Sequence, residues 1–213
     1  MEFAIAGRPL TPERPPFLIA ELSANHGQDF QRACALIRAA ARAGADAVKL
    51  QHYRPETITL NVDDARFRVE GGLWDGRLLH DLYAEAMTPW RWTGPLCEVA
   101  RDAGIQIFST PFDESAVDYL EGVMDPPAYK VASFELTHLP LLRRIAQTGK
   151  PVILSTGMAS RGEIQEALDT LSDRACPSVC LLHCVSAYPA APESYHLREI
   201  QALSEAFGTP TGL

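Results

Sequence analysis

Residues 128–133 read AYKVAS and residues 46–53 read DAVKLQHY. Each is a short apolar run with a lysine at its centre and an amide or hydroxyl beyond it. The placement is informative because lysine is scarce in this chain. Its 19 basic residues include only Lys49, Lys130 and Lys150. Lys150 precedes a proline at the entry to an apolar run and reads as solvated. Lys49 and Lys130 lie inside apolar runs, where an ammonium is desolvated unless something anionic meets it.

Working outward from these two stretches, similar runs recur at FLIAELS (17–23), IQIFSTP (105–111), PVILSTG (151–157) and VCLLHCVS (179–186). Helical patterns separate most of them. Residues 29–43 place apolar side chains at helical spacing and end at Gly44. Residues 90–103 end in the same way at Gly104, and residues 161–171 carry acids near their start. Runs that are apolar on both faces and alternate with helices predict a parallel sheet covered by helices, either an open doubly wound sheet or a closed barrel.

Polar residues choose between these. Glu21 and Asn25, Lys49 and Gln51, Thr110, Lys130 and Ser133, Ser155, then Ser186 and Tyr188 stand at or just after the ends of six successive runs. A doubly wound sheet gathers its functional groups at one switch point, whereas a barrel draws them from the C-terminal ends of many strands. No G-x-G-x-x-G follows the first run, which weakens a dinucleotide-binding sheet further. The expectation is therefore an α/β chain of the (β/α)8 TIM type, with residues 1–213 forming a single, partial barrel domain.

Composition bounds the function. The chain has 213 residues, 46% of them hydrophobic, and a net charge of -8, which suits a globular domain and speaks against a nucleic-acid or membrane-surface partner. No apolar run approaches the roughly 20 residues that span a bilayer, and residues 1–16 have no basic region followed by an apolar stretch. A cytoplasmic location is the expectation. Five cysteines, Cys34, Cys97, Cys176, Cys180 and Cys184, are an odd set that does not read as a disulfide framework. Cys180 and Cys184 read as ordinary residues of an apolar strand rather than as metal ligands. The segment 54–89 is too polar and too interrupted to be one helix. It reads as a long ordered loop on the catalytic face, acting as a lid or a specificity element, or else as a surface insertion.

The strings IAELSANHGQDF, AGADAVKLQHY, FSTPFDESAVDYL, AYKVASFE, ILSTGMAS and LLHCVSAYP together resemble the N-acetylneuraminate (sialic acid) synthase family. Within it, the run TLNVDD…GGLWDG…LYAEAMTPW looks most like the pseudaminic acid synthases. The resemblance covers the chain from about residue 15 to its end. It implies condensation of phosphoenolpyruvate (PEP) with an N-acetylated amino-sugar aldehyde, giving a nonulosonic acid and phosphate. It also implies a divalent metal, Mg or Mn, and a homodimer in the full-length form.

Carried over by position, the resemblance makes Glu21 the catalytic acid. Lys49, Thr110, Lys130, Ser133, Ser155 and Ser186 bind PEP, although position 186 is often asparagine in relatives. Gln51 and Tyr188 lie near the sugar, and Asn25 joins them at a strand mouth. The residue types suit these roles independently, since a phosphate beside a carboxylate needs fixed positive charge and several donors. The residues alone leave alternatives open. A strand lysine can be a buried ion-pair partner, and Glu21 can be the counter-ion of Lys49 rather than a proton carrier. An acid on an apolar strand in a cleft is expected to have a raised pKa. Lys130 would also serve a Schiff-base aldolase or lyase, and a non-catalytic binding remnant would keep the same residues.

The chain departs from the family in one respect. Relatives hold the metal with histidines at the seventh and eighth strand ends, and this sequence reaches GTPTGL where the seventh strand should begin. The expectation is a barrel truncated within or before that strand, without the family's C-terminal antifreeze-like domain and with no metal ligand. His26, His52 and His183 remain as substitutes. His183 reads as a satisfied core histidine, and His26, at a strand mouth, as the better polar candidate.

Overall fold

The computed structural model describes residues 3–11, 13–173, 176–187 and 190–213. It divides into two compact units, Phe17–Met124 and Met1–Pro16 with Asp125–Leu213. The chain opens on an antiparallel pair, β1 (Ala4–Ile5) and β2 (Arg8–Pro9), turned by Ala6 and Gly7 at positive φ.

The Phe17–Met124 unit runs β3 (Ile19–Glu21), α1 (Phe30–Arg42), β4 (Ala47–His52), α2 (Pro55–Ile58), α3 (Leu79–Ala86), α4 (Thr93–Asp102), β5 (Gln106–Pro111) and α5 (Glu114–Val123). Strand β4 pairs in parallel with β3 and with β5. Helix α1 forms where the sequence predicts it because Asp29 caps its first turn, accepting from the N–H groups of Gln31 and Arg32. Its buried face, Ala33, Cys34 and Ile37, packs with Val48, Leu50, Leu96 and Ala100 into one apolar core. The sequence-predicted helix at 90–103 is a single 3-10 turn over Trp90–Trp92 followed by α4.

The second unit continues with β6 (Tyr129–Val131), α6 (Leu139–Ala146), β7 (Val152–Ser155), α7 (Arg161–Ser172), β8 (Val179–Leu182), α8 (Arg198–Phe207) and β9 (Thr211–Gly212). Strands β6, β7, β8 and β9 pair successively and in parallel. Helix α7 starts with a capping box in which Ser160 Oγ accepts from the Glu163 N–H while the Glu163 carboxylate accepts from the Ser160 N–H. Strand β7 is buried along its whole length, as expected for a strand covered by helices.

In both units, strands adjacent in sequence are adjacent in the sheet. A barrel is built this way, whereas a doubly wound sheet reverses its order at a switch point. The last residues do enter a seventh parallel strand: the two-residue β9 pairs Leu181 with Thr211 and Leu182 with Gly212.

Segment 54–89 is ordered by its own contacts. Arg68 donates to the Gly76 carbonyl at 2.6 Å and pairs with Asp63, and it bridges to Leu78 as an isolated antiparallel pair. The Asp75 carboxylate accepts from the Gly71 N–H, and Arg77 pairs with Glu85 at 2.7 Å. Gln28 ties the far end down by donating to the carbonyls of Glu85 and Met87. No described helix is long and apolar enough to cross a membrane.

Candidate active site

The strand register assembles one charged cluster in the Phe17–Met124 unit. Glu21 and Lys49 are register partners on β3 and β4, and the Glu21 carboxylate lies 2.9 Å from Lys49 Nζ. On the other side, β5 presents Thr110, whose Oγ1 accepts from Lys49 Nζ at 3.0 Å. Lys49 is almost wholly buried, while the Glu21 side chain is 53% exposed. Gln51 follows two residues along β4, which puts it on the same face as Lys49, and is half-buried. Asn25 is exposed in the turn after β3, where its N–H donates to the Leu22 carbonyl.

Two histidines of this unit, His26 and His52, are structural. His26 is fully buried; its Nδ1 accepts from the Gln28 N–H, its Nε2 sits 3.3 Å from Thr88 Oγ1, and its ring meets Trp92 edge-on. Burial holds its pKa below the ordinary histidine value. The polar candidate that the sequence places at a strand mouth is closed into the core. His52 is clamped between Ser109 and Thr93, each at 2.7 Å, and burial lowers its pKa to about 4.

The second unit builds its own cluster. Lys130 on β6 donates to Ser155 Oγ at the end of β7 and to the Val131 carbonyl at 2.8 Å. Ser155 Oγ also accepts from the Cys184 thiol at 3.3 Å, so Cys184, read from the sequence as an ordinary strand residue, is half-buried at the end of β8 and part of the network. Ser133 accepts from the Gly157 N–H at 3.2 Å. Ser186 is exposed beyond β8, and its Oγ lies 2.8 Å from where a Cβ on Gly157 would stand. His183 behaves as the sequence predicts, its Nε2 meeting the Tyr195 carbonyl at 2.7 Å. Tyr188 lies outside the described residues.

Sequence reasoning missed Glu135. It ends the 3-10 turn Ser133–Glu135 that follows β6, and its Oε2 is buried without a hydrogen-bond partner among the described residues. Burial raises its pKa to about 7, with its own backbone hydrogen bond and the charge of Lys130 pulling the other way. The acid burial anticipated for Glu21 is found at Glu135. The available signal was an acid two residues after a strand-end serine, in AYKVASFE.

Among the described residues, no three His, Cys, Asp or Glu side chains converge as a metal site. The three candidate histidines are committed to protein partners, so these residues do not fit the divalent metal that the resemblance implies.

Consecutive parallel strands alternating with helices, with lysines and hydroxyls gathered at the strand ends, define a chain of the TIM-barrel class. Comparison with known proteins makes the class specific: residues 36–213 match the NeuB family, and the chain belongs to it. It is 43% identical over 200 residues to the pseudaminic acid synthase of Helicobacter pylori and 42% identical over 201 residues to that of Campylobacter jejuni. These alignments take in 94% of this chain and 58% of each relative, so the chain spans somewhat more than half their length. The crystal structure of N-acetylneuraminic acid (sialic acid) synthetase from Leptospira borgpetersenii, in complex with citrate, superposes with a TM-score of 0.86 at 30% identity, covering all of this chain and 69% of that one. The fold is that of the TIM-barrel synthases.

Proposed function

We propose that this chain is the N-terminal barrel portion of a PEP-dependent nonulosonic acid synthase of the pseudaminic acid type. One observation carries the reading: in each unit a buried strand lysine donates to a hydroxyl at the end of the neighbouring strand, Lys49 to Thr110 and Lys130 to Ser155. A buried ammonium group beside a hydroxyl suits an oxyanion that can accept from the ammonium and the hydroxyl. A phosphate or carboxylate of PEP would bring charge-assisted contacts to these lysines, competing with Glu21 at Lys49. The identities to pseudaminic acid synthases support the substrate class, an N-acetylated amino-sugar aldehyde.

In the proposed reaction the PEP methylene carbon attacks the sugar aldehyde carbon, forming the new C–C bond as the aldehyde oxygen takes a proton. Water adds to the resulting cationic centre at C2 and loses its proton. The tetrahedral intermediate then releases phosphate by C–O cleavage, leaving the 2-keto acid. Lys49, Lys130 and the hydroxyls of Thr110, Ser133, Ser155 and Ser186 hold the anionic groups, and Gln51 and Asn25 take the sugar, a role the resemblance gives Tyr188 as well. Two carboxyls share the proton traffic. Glu21 is held by Lys49 until an anionic substrate competes for that ammonium. Glu135, with a pKa of about 7, carries or releases a proton with little driving force at neutral pH.

The test is borohydride treatment and phosphate release in the intact protein, with PEP and the sugar supplied together. Stoichiometric phosphate without covalent trapping is the expected result. Trapping of substrate on Lys130 would replace this reading with a Schiff-base aldolase.

A further inference from the structure

Three hydroxyl-bearing residues of the Asp125–Leu213 unit depend on one residue without a side chain. Gly157 follows β7, and its N–H donates to Ser133 Oγ at 3.2 Å. A Cβ built on Gly157 would stand 2.8 Å from Ser186 Oγ and 3.0 Å from both the Cβ and the carbonyl oxygen of Cys184. The Cys184 thiol in turn donates to Ser155 Oγ, the acceptor of Lys130.

The loop cannot simply retreat from this crowding. The preceding residue, Thr156, is anchored to the Leu182 carbonyl by both its N–H, at 3.0 Å, and its Oγ1, at 2.9 Å. Backbone conformation does not demand glycine here, since Gly157 is not among the glycines with positive φ. Space does.

We propose that Gly157 is a positioning residue for the anion-binding hydroxyls. Its bare Cα lets Ser186 close in, its N–H aims Ser133, and its contact with Cys184 keeps the thiol on Ser155. A methyl group at this position would displace Ser186 and press Cys184 away from Ser155, loosening the hydroxyls without removing any of them. The inference rests on the PEP reading above.

The test uses the intact protein, titration calorimetry with PEP, and steady-state kinetics. Gly157→Ala is expected to raise the PEP Kd and KM tenfold or more while the KM for the sugar stays within twofold. Gly162→Ala is the control, because a Cβ there meets nothing closer than Ser160 Oγ at 4.0 Å, and it should bind PEP as the parent does. Combined with Ser186→Ala, which removes the 2.8 Å contact, the loss caused by Gly157→Ala should shrink at least threefold; residues coupled by contact are non-additive. The double variant also serves if the single one does not fold. Unchanged PEP binding in Gly157→Ala, an equal rise in both KM values, or additive effects in the double variant would each overturn the role of Gly157. A parent that binds no PEP overturns the underlying reading, and Gly157 with it, before any variant is made.

Discussion

Lys49 on β4 and Lys130 on β6 each reach a hydroxyl on the next parallel strand, Thr110 on β5 and Ser155 on β7. Their further contacts differ. Lys49 shares its charge with a half-exposed carboxylate, Glu21, at 2.9 Å. Lys130 donates to two neutral oxygens, Ser155 Oγ and the Val131 carbonyl, and its charge acts on the buried Glu135. The difference sets how each lysine would respond to an anion. A lysine already paired with a carboxylate gives up that pairing when an anion arrives, so its net gain is reduced. Lys130's contacts with Ser155 and the Val131 carbonyl involve no such exchange.

The two carboxyls offer the sharpest way to break the comparison. Glu135→Gln and Glu21→Gln each preserve shape and abolish proton transfer, and general acid–base help is worth about 10²–10⁴-fold. Glu135→Gln is expected to lower kcat within that range at nearly unchanged PEP affinity. Glu21→Gln is expected to lower kcat as well and also to tighten PEP binding, because it removes the competitor for Lys49. Steady-state kinetics with PEP titrations separates the outcomes: full turnover in Glu21→Gln would leave Glu21 as a counter-ion alone.

Next in size is the loss of a lysine. Truncating one partner of a charge-assisted contact in a closed site costs about 2–5 kcal/mol. Lys130→Ala should weaken PEP binding within that range and leave the sugar KM nearly untouched. Lys49→Ala should cost less in a Glu21→Gln background than in the parent, since the parent variant leaves Glu21 to repel the anion. Equal losses in the two backgrounds would show that the Glu21–Lys49 pair has no bearing on PEP.

The smallest expected effects are on stability against pH, and they have opposite signs in the two units. The Glu135 pKa is raised from 4.5 to about 7. Its contribution is therefore complete below pH 4.5 and is lost as pH rises toward 7, at up to roughly 1.4 kcal/mol per pH unit before solvent screening reduces it. The His52 pKa is lowered from 6.5 to about 4. Its contribution is complete above pH 6.5 and is lost as pH falls toward 4. Thermal melts from pH 4 to 8 should show Glu135→Gln flattening the decline between about 4.5 and 7, measured against the parent. An unaltered slope would mean that Glu135 is solvated.

Much of the barrel was legible because its signals are local. Apolar runs, helical spacing and glycines after helices each act over a few residues; helices α1 and α7 formed within one residue of where these signals placed them, whereas the run at 179–186 is a strand only over Val179–Leu182. The lysines in AVKLQ and AYKVAS were legible for the same reason: an ammonium in an apolar run needs an explanation whatever the fold. Residues 54–89 read as one long ordered loop, whereas they hold the helices α2 and α3, and the internal braces, Arg68 to Gly76 and Arg77 to Glu85, depend on how the chain doubles back. The seventh strand had no local signal at all, since TG becomes β9 only by pairing with Leu181 and Leu182.

Sequence by itself determined the element types, their parallel alternation and the set of polar residues offered at the strand ends. Tertiary structure decided which of those residues meet. Parallel register set Glu21 opposite Lys49, and packing closed His26 and His52 into the core. The turn after β6 buried Glu135 instead of Glu21, and the loop after β7 brought Gly157 against Cys184 and Ser186. The physical reason is one of range. Propensity and periodicity act along a few residues of chain, whereas desolvation and hydrogen-bond partnership depend on groups brought together from distant parts of it, such as Lys130 and Ser155, and take their values only once the strands are in register.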